Sequence, residues 1–126
     1  VLAMVLSLAV GVSANSTSVT SPYYGTISGT SYQNSTSPAT FYTSSRMSKN
    51  PDSARFVIDV DYNDGENYLT ALSQRSSCGI TSFTYTFPIY FTFDAIPNMA
   101  YVSHCVQDGT KYASKATYTS APLTIN

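Results

Sequence analysis

The stretch TSFTYTFPIYFTFD, residues Thr81–Asp94, decides the fold. Apolar and polar side chains alternate along it with a period of two, which is the repeat of a β-strand with one buried face. Pro88 interrupts the hydrogen-bonding pattern of the strand because it has no N–H to donate to a neighbouring strand. The strand therefore either lies at a sheet edge at Pro88 or breaks there and changes sheet. The predicted buried face consists of six bulky residues: Phe83, Tyr85, Phe87, Ile89, Phe91 and Phe93.

An Asp-Gly pair at residues 64–65 predicts the first β-hairpin. Asp-Gly supplies the positive φ angles of a tight two-residue turn, so Arg55–Asn63 should return as Glu66–Leu72. This register places Val60 opposite Leu69 and gives both strands an apolar face on the same side.

A second Asp-Gly pair, at residues 108–109, predicts another hairpin. Ala100–Gln107 should return as Thr110–Tyr118, with Cys105 opposite Tyr112.

The remaining strands are shorter and are separated by turn residues. Ser18–Gln33 is expected to form one or two strands, Ala39–Ser44 another and Ala121–Ile125 the last. About seven short strands with turns every 8 to 12 residues are typical of an antiparallel sandwich. The predicted fold is all-β, an Ig-like or fibronectin-like β-sandwich.

The N-terminal segment Val1–Val12 is apolar and uncharged, and the small residues Ser13 and Ala14 follow it. A membrane-spanning helix needs about 20 apolar residues, so this run predicts a cleaved signal peptide over residues 1–14 rather than a membrane span. We therefore expect a secreted, extracellular protein whose mature chain, residues 15–126, is a single domain.

The two cysteines, Cys78 and Cys105, are expected to form a disulfide in an oxidising compartment. If residues 80–94 and 100–107 formed one simple hairpin, these cysteines would lie about 36 Å apart along the strand. A disulfide requires Cα atoms within about 7 Å. A break near Pro88 that carries the chain into a second sheet removes this conflict and favours a sandwich.

Composition limits the classes of partner. Charged residues make up 10% of the chain and the net charge is −1, so no basic surface for nucleic acid is expected. Serine and threonine, more than a quarter of the residues, supply the polar surface instead. Two sequons, beginning at Asn15 and Asn34, are candidate N-glycosylation sites.

Five segments occur in a characteristic order: TSPYYG (20–25), ATFYTSS (39–45), FVIDVDYNDG (56–65), FTYTFP (83–88) and YTSAPLTIN (118–126). This order resembles the Ig-like N-terminal domain of the fungal yeast cell-wall-synthesis family, whose members are often Ser/Thr-rich and GPI-anchored. The resemblance implies a non-catalytic extracellular or cell-wall-associated domain, and it transfers no active-site residue.

The titratable residues do not complete a known catalytic or metal motif. Asp59, Asp61 and Asn63 imitate the start of an EF-hand loop, but Asp64 stands at the sixth position, which requires glycine. His104 is the only histidine, and the Ser103 beside it points to the opposite face of a strand. We therefore expect no metal, no cofactor and no catalytic residue. The alternative from another class is a small secreted hydrolase that uses Asp59, Asp61 or His104.

Eleven tyrosines are the other compositional signal. Tyrosine is a strong strand former, yet its flat ring and polar hydroxyl also suit binding surfaces. Tyr23, Tyr24 and Tyr32 lie in Gly/Ser/Thr-rich segments and are the candidate binding residues. The predicted function is non-catalytic recognition of cell-wall polysaccharide or an extracellular protein. The alternative binding function is that of a small secreted effector that targets host proteins.

Overall fold

A computed structural model describes residues 15–49, 53–109 and 112–125. The predicted signal peptide, residues 1–14, lies outside the described residues. Among the residues that are described, no helix is long and apolar enough to cross a membrane. The described residues form eight β-strands: β1 Asn15–Ser21, β2 Gly25–Thr36, β3 Ala39–Met47, β4 Arg55–Asn63, β5 Tyr68–Arg75, β6 Ser82–Pro88, β7 Met99–Asp108 and β8 Tyr112–Pro122.

The strands form two antiparallel sheets of four, in the order β1-β2-β3-β6 and β5-β4-β7-β8. The predicted all-β sandwich is confirmed, with eight strands rather than about seven. Residues 18–33 fall in two strands, β1 and β2, because Gly25, with φ +74°, allows a tight turn between them. Residues 121–125 do not form a strand of their own, since β8 continues to Pro122.

The predicted break at Pro88 is confirmed. β6 lies at the edge of the first sheet and ends at Pro88, and β7 belongs to the second sheet. The Ile89 N–H still donates to the Ala39 carbonyl at 3.0 Å, after which the chain leaves the sheet. The predicted burial of Phe91 and Phe93 is wrong, because these residues follow the end of the strand and are 47% and 96% exposed.

Both hairpin registers differ from prediction. Val60 pairs with Leu72 rather than Leu69. The Asp64 N–H donates to the Asn67 carbonyl, and the Asp64 carboxylate accepts the N–H groups of Glu66 and Asn67. These bonds build a longer turn than the two-residue connection that Asp-Gly suggests.

In the β7–β8 pairing, as in β4–β5, each residue of the first strand lies opposite a later residue of the second strand than predicted. Cys105 pairs with Ala116, and Tyr112 pairs with Asp108 instead of Cys105. A register shift between Val106 and Asp108 marks an irregularity in this ladder, which the turn sequence does not reveal.

The predicted disulfide is wrong, because both cysteines are free thiols. Cys105 on β7 pairs with Val57 on one side of β4, whereas Cys78 follows β5 on the other side. The Gly79 N–H donates to the Ala54 carbonyl, so Cys78 lies near the start of β4. Two strand spacings and about three residues separate the cysteines, roughly 14 Å, which exceeds the reach of a disulfide.

The interior contains two apolar clusters at opposite ends of the strands. The larger cluster contains Phe41, Ile58, Val60, Tyr62, Phe87, Ile89, Ala100, Val102, Ala121 and Leu123. The smaller cluster contains Tyr24, Ile27, Met47, Ala54, Phe56 and Val106. Between the clusters, the inward positions of β2, β3, β7 and β8 hold buried polar residues, including Ser31, Ser45, His104 and Thr119.

Candidate functional site

The outer face of the second sheet carries two carboxylates and two exposed tyrosines. Strand alternation buries Val60 and Val102 and therefore turns Asp59, Asp61 and Tyr101 to the outside. Tyr101 and Tyr118 are 48% and 70% exposed. We call Asp59, Asp61, Tyr101 and Tyr118 the acid–tyrosine face.

The strand register sets the spacing of this face. Asp61 on β4 lies directly opposite Tyr101 on β7. Asp59 lies opposite Ser103, which lies opposite Tyr118 on β8. Directly opposed side chains have Cβ atoms about 5 Å apart, and diagonal neighbours such as Tyr101 and Tyr118 are about 7 to 8 Å apart. The four side chains thus lie within one contiguous patch.

The electrostatics of the patch are acidic. Partial burial, followed by repulsion from the Asp59 carboxylate, raises the pKa of Asp61. Ionised carboxylates accept hydrogen bonds and cannot donate them. The face therefore offers flat aromatic surface beside acceptors for hydroxyl or amine donors.

Two of the predicted binding tyrosines lie on separate surfaces, and one is buried. Tyr23 is 47% exposed, but its ring stacks on Tyr112 with centroids 4.1 Å apart. Tyr32 lies on the outer face of the first sheet beside Tyr42.

Tyr24 is fully buried, so the expectation that it belongs to an exposed binding patch is wrong. Its ring fills the smaller apolar cluster, and its hydroxyl donates to the Ala113 carbonyl at 3.2 Å. Burial is the main reason why the pKa of Tyr24 is raised.

His104 lies between the two sheets, away from the acid–tyrosine face. Its Nδ1 is 2.8 Å from Ser45 Oγ and its Nε2 is 2.8 Å from Thr119 Oγ1. Burial lowers the pKa of His104 to about 4, so the ring is neutral at pH 7. Because it points inward while Asp59 and Asp61 point outward, these three residues do not converge on one site.

Among the residues that the structure describes, no three His, Cys, Asp or Glu side chains lie close enough together to hold a metal ion. The acidic turn instead uses its side chains within the hairpin. Asn63 Oδ1 accepts the Gly65 N–H at 2.6 Å. Bonds from the Asn67 and Glu66 backbone lower the pKa of Asp64.

A second surface feature is an apolar groove between the start of β5 and the segment after β6. Its volume is about 440 Å³, and its lining comprises Leu69, Thr70, Tyr90, Phe91, Thr92 and Ala95. Phe93 and Ile96, which are 96% and 49% exposed, lie on the same segment. The backbones of Thr92 and Ala95 hydrogen-bond to each other, which places Phe93 in a tight turn.

Tyr101 and Tyr118 were missed by the sequence reasoning, although a signal for them exists. Alternation alone places Tyr101 on the side of β7 opposite Val102. Its proximity to Asp61 and Tyr118 depends on the pairing of β7 with β4 and β8, and the predicted β7–β8 register was wrong.

Comparisons with protein-family models, curated proteins and solved structures found no match.

Proposed function

We propose that the protein is a secreted, non-catalytic domain that recognises carbohydrate at the cell surface or in the cell wall. The observation that carries the proposal is the acid–tyrosine face, with two exposed rings and two carboxylates on one side of a four-stranded sheet. The predicted signal peptide and the resemblance to the yeast cell-wall-synthesis family support an extracellular location.

The chemistry of the face suits a polysaccharide chain. The C–H groups of a sugar ring pack against the electron-rich face of tyrosine, and a carboxylate accepts hydrogen bonds from sugar hydroxyls. Tyr101 and Tyr118 stand at diagonal strand positions about 7 to 8 Å apart, so their rings can contact neighbouring parts of an extended chain. The sheet fixes the backbone that carries both rings, so binding has to order only the two side chains.

The arrangement of titratable groups supports binding rather than catalysis. Asp59 and Asp61 project from the same strand to the same side, whereas a glycosidase uses two carboxyl groups that flank the scissile bond. His104 is buried and neutral between the sheets, where no substrate has access to it.

Binding to insoluble polysaccharides tests the proposal. The purified chain is mixed with β-glucan, chitin and mannan, and the bound fraction is measured against concentration. Replacement of both Tyr101 and Tyr118 by alanine should weaken binding at least tenfold, about 1.4 kcal/mol. Asp59→Asn and Asp61→Asn should weaken it less, since hydrogen-bond acceptors remain.

Tyr23→Ala is the matched control, because Tyr23 is as exposed as Tyr101 but lies elsewhere. Loss of binding in Tyr23→Ala with retention in the double variant would assign recognition to the other surface. No binding of the unaltered chain to any polysaccharide would overturn carbohydrate recognition.

The apolar groove favours a second candidate function, the recognition of an extracellular protein. Exposed apolar patches of this kind mark interaction surfaces. Phe91 lines the groove and is 47% exposed, so Phe91→Ser should abolish enrichment of a partner from the extracellular fraction, while Tyr101→Ala should not. Equal enrichment by both variants would argue against the groove as the contact surface.

A further inference from the structure

We propose that Asn34 is an N-glycosylation site whose first sugar packs against the ring pair of Tyr32 and Tyr42. The inference rests on the proposed secretion of the chain through a eukaryotic pathway. It goes beyond the sequon itself, because it assigns a protein surface to the attached sugar.

Asn34 is the extra residue of an irregularity in the β2–β3 ladder. Gln33 pairs with Phe41 and Ser35 pairs with Thr40, so Asn34 has no residue opposite it. Asn34 is exposed. Thr40 Oγ1 donates to Asn34 Oδ1 at 2.7 Å and holds the amide toward β3.

The ring pair lies on the same side of the sheet. Ser31 and Thr43 are buried, so the adjacent residues Tyr32 and Tyr42 face outward. These two tyrosines are directly opposed, with ring centroids 4.8 Å apart and planes at 33°. Phe41 is likewise buried, which turns its neighbour Thr40, and with it the bonded Asn34 amide, to that outer side.

The spacing suits an N-acetylglucosamine. Tyr32 stands two residues before Asn34, so its ring and the amide emerge side by side from the same strand. An N-linked sugar presents an axial C–H face that can lie on a tyrosine ring, and the two rings together offer a broader apolar surface than one. Both rings are already positioned by their mutual contact, so little order has to be gained.

The modification is a group transfer from a lipid-linked oligosaccharide diphosphate. The Asn34 Nδ2 forms a bond to C1 of the first sugar, and the bond between C1 and the diphosphate oxygen breaks. The lipid diphosphate leaves with the bonding electrons, and the amide proton passes to a base of the transferase. Thr36 completes the Asn-Ser-Thr acceptor sequence that the transferase recognises.

The other sequon provides an internal comparison. Asn15 Nδ2 donates a hydrogen bond to the Ser120 carbonyl, so a sugar on this nitrogen would have to displace a contact between the sheets. With the predicted signal peptide removed after Ala14, Asn15 begins the mature chain, so no aromatic residue stands two places before it, where Asn34 has Tyr32. We therefore expect Asn34 to be the occupied site and Asn15 to remain largely unmodified.

Expression in a eukaryotic secretory host tests the inference. The full chain is produced once with its own N-terminus and once behind an added leader, and glycopeptide masses are measured at both sequons. Glycan at Asn34 and little at Asn15 is the expected result, and Asn34→Gln should remove it. An exported chain with a bare Asn34 would overturn the inference. Export only with the added leader would count against the proposed secretion. The occupancy of Asn34 would still be measured on the chain exported behind that leader.

Thermal unfolding tests the contact with the rings. The glycosylated form should melt about 4 °C above the enzymatically deglycosylated form, the shift of about 1 kcal/mol in a domain of this size. In Tyr32→Ser and Tyr42→Ser, this difference should shrink to about 1 °C or less. If the tyrosines only stabilise the protein itself, each substitution lowers the melting temperatures of the glycosylated and deglycosylated forms equally. An unchanged difference between the two forms would therefore refute the packing of the sugar on the rings.

Discussion

Apolar packing fills the two ends of the sandwich, whereas hydrogen bonds join the sheets in the layer between them. The larger apolar cluster contains aromatic rings such as Phe41 and Phe87. The middle layer instead contains the polar chain Ser31, Thr119, His104 and Ser45. This chain starts on the first sheet, passes through two residues of the second sheet and returns to the first.

The difference separates stability from specificity. Burial of apolar surface provides most of the free energy of folding, but it tolerates sliding of one sheet over the other. The bonds of the middle layer, 2.7 to 2.8 Å long, are directional and are satisfied in one relative position of the sheets. We infer that the apolar ends supply stability and that the polar layer fixes the alignment of the sheets.

The largest expected effect comes from an apolar end. Phe87→Ala removes a ring that is 1% exposed and should lower the free energy of unfolding by about 3 to 5 kcal/mol. Denaturant titration measures the change.

Phe93→Ala is the matched control from the same alternating stretch. Because Phe93 is 96% exposed, its loss should change stability by about 0.5 kcal/mol or less. Similar losses in both variants would mean that the strand pattern continues past Pro88 and that the chain does not leave the sheet there.

These two phenylalanines also show how far the sequence predicts the fold. Alternation identifies the buried face of β6, and the missing N–H of Pro88 identifies its end. The exposure of Phe91 and Phe93 depends on the path of the chain after β6, and the local alternation of residues does not determine that path. The expected disulfide also favours a break near Pro88, but both cysteines are free, so the chemistry of Pro88 alone supports the break.

The candidate site was partly predictable for the same reason. Alternation correctly places Asp59 and Asp61 on the outer face, because each strand determines its own two sides. The pairing of Asp61 with Tyr101 joins β4 to β7, and no turn connects these two strands, so local sequence does not set their register. The approach of Tyr118 depends on the β7–β8 register, and the Asp-Gly rule does not anticipate the irregularity between Val106 and Asp108.

The next largest effect concerns the charge of the polar layer. His104 has a pKa of about 4 in the folded protein and about 6.5 in the unfolded chain. Between these values only the unfolded state binds the proton, so stability is complete above pH 6.5 and falls as the pH decreases toward 4. The expected loss is about 1.4 kcal/mol per pH unit and about 3 kcal/mol in total.

Denaturant titrations from pH 7 to pH 4 measure this loss, and His104→Gln is the control. The variant keeps a polar side chain but has no proton-binding site at this position in this pH range. Subtraction of its pH profile therefore removes the contribution of the carboxyl groups to the pH dependence. Identical profiles for the variant and the unaltered chain would show that His104 does not make the polar layer sensitive to acid.

Gly29 tests how tightly the polar layer is packed. A Cβ at this position would overlap the ring of His104, and that ring is held by Ser45 and Thr119. Gly29→Ala should therefore destabilise the protein by about 1 to 3 kcal/mol, the range for overpacked interiors. Ser28→Ala, on the outward neighbour, should have an effect within about 0.5 kcal/mol.

A double-mutant cycle locates the conflict. In a His104→Ala background the added methyl group has space, so Gly29→Ala should be nearly neutral there. An equal loss in both backgrounds would place the strain in the β2 backbone instead of at the His104 ring.

The smallest expected effect concerns a covalent link between the strands. A disulfide between Cys78 and Cys105 would close a loop of about 28 residues and contribute roughly 3.5 kcal/mol. Because both cysteines are free, reductant should leave the melting temperature unchanged within about 1 °C. A thiol reagent should modify exposed Cys78 quickly and Cys105 slowly, since burial raises the pKa of Cys105 and lowers its thiolate fraction. If no thiol can be titrated before reduction and reductant lowers the melting temperature, a disulfide forms and, together with the polar layer, helps to hold the strands in place.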